Sequence, residues 1–232
     1  GKPTVHARWG EPTALLSGDV MLVAAYEQLN RIDQAHARRI LSIFNRTAAE
    51  VCEGQQLDMD FEKMEHVGLD AYLHMITLKT SVLLAASLQM GAVLGQAGEG
   101  NQKHLYEFGK QLGIAFQVQD DYLDCFGDPA KFGKQVGGDI IANKKTFLLL
   151  HALETAKGGE LNELRRLLSY DGSDKVEKVL DIYRACGVDA WARELKDRYV
   201  NQAEQHLEDI AVINARKQPL RQLASVLVQR EK

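Results

Sequence analysis

Proline is scarce in this chain: four in 232 residues, at Pro3, Pro12, Pro129 and Pro219. Proline kinks helix interiors, so its scarcity suits a helical protein, and all four are expected near segment ends. Cysteine is scarcer still. Cys52, Cys125 and Cys186 show no Cys-x-x-Cys spacing. An odd number of scattered thiols speaks against a disulfide framework and points to a reducing cytoplasm. Neither sign of charge dominates. The formal net charge is −4 with 26% charged residues, which speaks against a nucleic-acid surface or a polybasic membrane patch. No apolar run reaches the roughly 18 residues of a spanning helix. The oiliest stretch, residues 81–95, is interrupted by Ser87 and Gln89. No signal-peptide pattern is visible.

What the chain does have is helical period. Ile40, Ile43, Phe44, Thr47 and Val51 recur at helical spacing, and so do Trp191, Leu195, Tyr199, Ala203, His206 and Ile210. Leu220, Leu223 and Leu227 continue the pattern. No strict apolar/polar alternation is long enough for a strand. Helices are expected over about 13–30, 34–56, 69–96, 101–126, 142–156, 160–168, 174–185, 188–213 and 218–230. Glycine-rich breaks separate several of them. With 45% hydrophobic residues the length suits one sizeable domain or two small ones. The simplest reading is one all-α domain over 1–232.

The densest chemistry lies in Gln117-Val118-Gln119-Asp120-Asp121-Tyr122-Leu123-Asp124. On a helix Asp120 and Asp124 share a face, Asp121 stands at its edge, and Gln117 lies one turn earlier. Acids crowded this way repel unless a cation is present. Hard oxygens on a rigid helix suit Mg²⁺, which keeps few protein ligands and readily shares phosphate. A bare Asp-Asp-x-x-Asp is more often a solvated face. Here Phe116, Val118, Tyr122 and Leu123 interleave the acids, as in a helix lining a cavity.

Three further elements gain weight from that neighbour. Gly133-Lys134 and Gly137-Gly138-Asp139 lead to Asn143-Lys144-Lys145-Thr146. Such glycines allow backbone close to a ligand, and lysines offer point charges to phosphate. Lys79-Thr80 sits in an apolar helix, where the lysine either snorkels outward or reaches a phosphate. Gly54-Gln55-Gln56-Leu57-Asp58 places Gln55 and Asp58 on one face of what reads as a helix end. The seven histidines show no metal-ligand spacing and read as surface or core polar groups.

In that order these elements resemble the trans-isoprenyl diphosphate synthases, or polyprenyl synthetases, over nearly the whole chain. The resemblance implies an all-α, isoprenoid-synthase-like helical bundle around a central cavity, usually a homodimer. It implies condensation of an allylic diphosphate with isopentenyl diphosphate, assisted by Mg²⁺, to a longer trans-prenyl diphosphate of C15 or C20 length. Carried over by position, Asp120 and Asp124 hold Mg²⁺ on the allylic diphosphate with Asp121 nearby. Lys79, Lys134 and Lys144 neutralise that diphosphate. Thr80 and Gln117 stabilise the developing cation, and Asp58 is a polar partner either on the diphosphate side or behind the groups that hold it.

The family carries a first aspartate-rich motif and an arginine pair before a Gly-Lys-Pro-Thr-x-His stretch, and this sequence opens at that stretch. The chain is therefore expected to be the C-terminal portion of such a domain, inactive in condensation when alone. Two other functions fit part of the pattern: a non-catalytic partner subunit of a prenyl synthase, and a class I terpene cyclase.

Overall fold

A computed structural model of the chain describes residues 2–127 and 136–228. Among the described residues there is no strand, as the missing alternation requires. The chain divides into two compact units, Gly1–Asn45 and Arg46–Lys232.

In the first unit, α1 (Val5–Trp9) and α2 (Glu11–Leu29) are joined at Gly10, whose φ is +86°. Pro12 lies in the first turn of α2, where its missing N–H would have no helical partner anyway. Asp33 opens α3 (Gln34–Lys63), its Oδ1 accepting the Ala35 N–H at 2.8 Å. Tyr26 stands edge-on to Phe44 and donates its hydroxyl to Asn45 Oδ1 at 2.7 Å. None of the residues of α2 is buried, and Leu15, Leu16, Val20, Met21 and Val23 are 60–72% exposed.

The second unit is organised on α6 (Glu99–Phe126). Helix α4 (Leu69–Ile76), a π turn (Thr77–Ser81) and α5 (Val82–Leu94) form a continuous helical run packed along it. A Cβ on Gly109 would stand 2.8 Å from Ala85 Cα, and one on Gly113 2.7 Å from Ser81 Cα, so the two backbones touch where α6 lacks side chains. By length and composition Leu69–Leu94 is long and apolar enough to cross a membrane, with a mean hydropathy of 1.4. The sequence alone suggests no such run. Its apolarity serves a core face: Tyr72, Met75, Ile76, Ala85 and Ala86 are all at most 2% exposed.

The remaining helices are α7 (Gly138–Ile141), α8 (Phe147–Thr155), α9 (Gly158–Leu167), α10 (Lys175–Ala185), α11 (Val188–Glu208) and α12 (Asn214–Val228). Phe108 and Leu112 of α6 are wholly buried in one cluster with Ala203 and Leu207 of α11. Phe108, Leu112 and Leu207 each contribute about 1.5–3 kcal/mol by leaving water.

Three expectations are corrected. Helix α3 does not end near 56 but runs to Lys63, so Gly54 is a mid-helix residue. The expected helix over 142–156 is split: Asn143 has φ +52°, and Thr146 caps α8 by accepting the Leu149 N–H. Pro219 lies inside α12, in its second turn, rather than at a segment end. The helical period at the C-terminus is kept in α12, where Leu220 and Leu227 pack with Ala224 and Val228 against the cluster around Phe108, while Leu223 is 40% exposed.

Candidate active site

The last turns of α6 carry the carboxylate cluster, and the helix splits the three acids by direction. Asp120 is exposed, Asp124 is half-buried and Asp121 is 1% exposed. Sequence spacing sets Asp121 at the edge of the working face; in the structure it is the acid turned inward. The reason is the apolar interleaving: Val118 and Cys125, three before and four after, are also buried.

Asp121 Oδ2 accepts the Tyr72 hydroxyl and Oδ1 accepts Gln117 Nε2, each at 2.9 Å. Burial pushes its carboxyl up to about 6, while the Lys144 charge and those two hydrogen bonds pull it down. Burial, with the Asp121 charge beside it, raises the Tyr72 phenol well above its ordinary value.

Asp124 ties α6 to the next element. Its Oδ2 accepts the Asp139 N–H at 2.9 Å, and its backbone carbonyl accepts the Gly137 N–H at 2.7 Å. Gly137 sits at φ +82°, where an L side chain is strained, and a Cβ there would stand 2.5 Å from Val176 Cγ1. The turn thus brings Asp139 back to the acids. Asp139 Oδ2 accepts from Lys144 Nζ at 3.4 Å. Burial and then Asp124 raise the Asp139 carboxyl, against the pull of Lys144. Burial works to lower the Lys144 ammonium, but Asp121 and Asp139 outweigh it and the net shift is upward. Lys144 therefore stays charged.

The left-handed Asn143 that aims Lys144 is itself held: Lys175, 4% exposed, donates to Asn143 Oδ1 at 2.9 Å. The paired lysines separate. Lys145 Nζ donates to the carbonyls of Phe61 at 2.6 Å and Glu62 at 3.4 Å, at the C-terminal end of α3. A cation there meets unpaired helix carbonyls. Lys145 is a strut for α3, and Lys144 alone faces the acids.

Lys79 and Thr80 lie in the π turn, a feature that recurs at functional sites. Lys79 Nζ donates to Asp58 Oδ2 at 2.5 Å. This pairing depends on Gly54, where a Cβ would stand 2.3 Å from the Lys79 backbone nitrogen. Asp58 lies near enough to act on the Lys144 and Tyr72 charges, so both lysines belong to one neighbourhood. Thr80 is half-buried. Lys134 and Gly133 lie outside the described residues.

The structure therefore gathers Asp58, Lys79, Gln117, Asp121, Asp124 and Lys144 around the end of α6, with Asp120 on its outer face. Sequence reasoning missed Tyr72 and Lys175, and quoted Asp139 only as part of a loop. Tyr72 is 49 residues from Asp121, and no local spacing announces it. A recess beside Asp139 and Lys144 is lined by Ile140, Leu164, Lys175 and Tyr183, among others.

The donor set fits Mg²⁺. Asp120, Asp124 and Asp139 are hard oxygen donors close together, with Asp121 buried behind them and both its oxygens already hydrogen-bonded, and Asp124 and Asp120 both raise Asp139 through their charge. Such mutual repulsion is what a divalent cation relieves.

The polyprenyl synthetase family model matches residues 1–186. A short chain isoprenyl diphosphate synthase of Methanocaldococcus jannaschii is 43% identical over 178 residues, 76% of this chain and 53% of that protein. One from Methanothermobacter thermautotrophicus is 34% identical over 232 residues, 100% of this chain and 71% of that protein. Among solved structures, geranylgeranyl pyrophosphate synthetase from Pyrococcus horikoshii Ot3 superposes with a TM-score of 0.92 at 34% identity, covering 99% of this chain and 71% of that one. The chain thus spans about half to seven-tenths of the length of these relatives.

Proposed function

Since the chain belongs to the polyprenyl synthetase family, we propose that the end of α6 binds and ionises an allylic diphosphate for condensation with isopentenyl diphosphate, giving a longer trans-prenyl diphosphate. The observation that carries this reading is the convergence of the α6 carboxylates with Lys144, oriented by Asp139, beside the Lys79–Asp58 pair.

Asp120 and the second oxygen of Asp124 are the donors offered to Mg²⁺ and, through it, to the diphosphate. Bound there, Mg²⁺ supplies the Lewis acidity that draws charge from the departing pyrophosphate. Lys144 presents a fixed ammonium to the same group, and Lys79 swings from Asp58 to do likewise; for Lys134, outside the described residues, the same role rests on the family resemblance alone. Asp121 anchors the assembly from below through Tyr72 and Gln117. Gln117 commits its amide nitrogen to Asp121, which fixes the direction of its carbonyl oxygen, and with Thr80 it faces the carbocation. The leaving pyrophosphate takes the final proton, so no side-chain base is required.

The exposed apolar residues of α2 support a homodimer, with a second copy of this chain as the occupant of that face. Three free cysteines accord with a reducing cytoplasm.

Product analysis tests the reading on the protein as the cell makes it. With Mg²⁺, dimethylallyl diphosphate and isopentenyl diphosphate, linear C15 or C20 diphosphate is expected. A cyclic hydrocarbon, or turnover only after a second protein is added, contradicts it.

A further inference from the structure

The seven histidines show no ligand spacing in sequence, yet the fold brings two of them together. His104, in the second turn of α6, and His206, in the last turn of α11, approach Nδ1 to Nδ1 at 3.2 Å across 102 residues of chain. Their rings are tilted by 49° with centroids 5.5 Å apart, so they meet at the nitrogens rather than by stacking. Asp209, directly after α11, puts Oδ2 4.0 Å from His104 Nδ1. One ligand atom from each of the three lies within 4.8 Å of the others.

We propose that His104, His206 and Asp209 bind one divalent transition-metal ion, zinc foremost. Two imidazole nitrogens about 2.0–2.1 Å from a tetrahedral zinc stand about 3.4 Å from each other, close to the separation found here. The carboxylate needs only a side-chain adjustment, and Asp209 is exposed enough to make it. Imidazole with carboxylate selects zinc and its neighbours over Mg²⁺, which prefers oxygen alone. The site is separate from the diphosphate cluster: Asp121 is 17 residues further along α6, about 25 Å at 1.5 Å per residue. The scaffold is already braced, since Asn101 Oδ1 accepts the Ala211 N–H at 3.0 Å and holds the turn after α11 against the start of α6. A bound ion would cross-link those two ends, leaving one coordination position to water.

The test is zinc binding to the chain in excess Mg²⁺, which occupies the acidic cluster. One zinc per chain is expected. His206→Asn and His104→Asn should each weaken binding more than tenfold, and Asp209→Asn less. Thermal unfolding with and without EDTA should show a zinc-dependent rise in Tm that His206→Asn abolishes while leaving the EDTA value in place. X-ray absorption of the zinc-loaded, unsubstituted chain covers the case of a variant that misfolds: two imidazole ligands are expected. An all-oxygen shell, zinc binding unchanged in both histidine variants, or no zinc retained after dialysis overturns the proposal.

Discussion

Tyr72 and Asp121 meet in the interior of the second unit, the phenol donating to a carboxylate that is 1% exposed. Helix α4 thus orients an acid on α6 that has no access to water. Tyr72→Phe removes that donor and leaves the carboxylate one hydrogen bond short. A loss of about 1–3 kcal/mol is expected, the range for stranding a buried polar group. The loss should be larger at pH 8, where Asp121 is ionised, than at pH 5. Denaturant unfolding at the two pH values measures it.

The metal-free protein should lose stability as pH rises through about 6. Burial holds the Asp121 carboxyl near 6 when folded, above the ordinary unfolded value of about 3.9. A group raised in the folded state gives its full stabilisation below the unfolded value and loses it as pH climbs past the folded one. Ionising Asp121 in place costs on the order of 3 kcal/mol, at about 1.4 kcal/mol per tenfold. Asp139 shifts the same way. Unfolding in EDTA from pH 4 to pH 8 shows the slope, and Asp121→Asn should flatten it.

Gly54→Ala should cost function as well as stability. The new methyl would stand 2.3 Å from the Lys79 backbone nitrogen, so α3 or the π turn has to move. Overpacking of this kind costs about 1–3 kcal/mol. The Lys79–Asp58 pair moves with it, and condensation by the protein as the cell makes it should fall at least tenfold. Thermal unfolding and initial rates measure the two effects.

Adjacent lysines should behave differently. Lys145→Met removes the strut under the α3 carbonyls and should lower stability by about 1 kcal/mol, with KM for the allylic diphosphate unchanged. Lys144→Met removes the ammonium between Asp121 and Asp139 and should raise that KM and lower kcat. Steady-state kinetics on the two variants, each in the protein as the cell makes it, separates the roles.

The helical class was legible because 3.6-residue periodicity is a local property, and the buried faces of α3 and α11 follow it at Ile40, Ile43, Leu195 and Ala203. The acids, Lys79 and Lys144 stood out by residue type and order. What was hidden depends on contact between distant segments. Gly54 looks like a helix end until the close approach of Lys79 explains it. Tyr72, Lys175 and the His104–His206 meeting have partners 49, 32 and 102 residues away. The break at Asn143 was readable in principle, from an Asn suited to positive φ and a Thr suited to capping, but the apolar run behind it masks both.

Calorimetric titration of inorganic pyrophosphate into the chain, with and without Mg²⁺, tests most directly whether the end of α6 handles diphosphate. Binding is expected only with Mg²⁺, weakened more than tenfold by Asp120→Ala and by Lys144→Met. Equal binding without Mg²⁺, or binding untouched by both substitutions, would contradict the account.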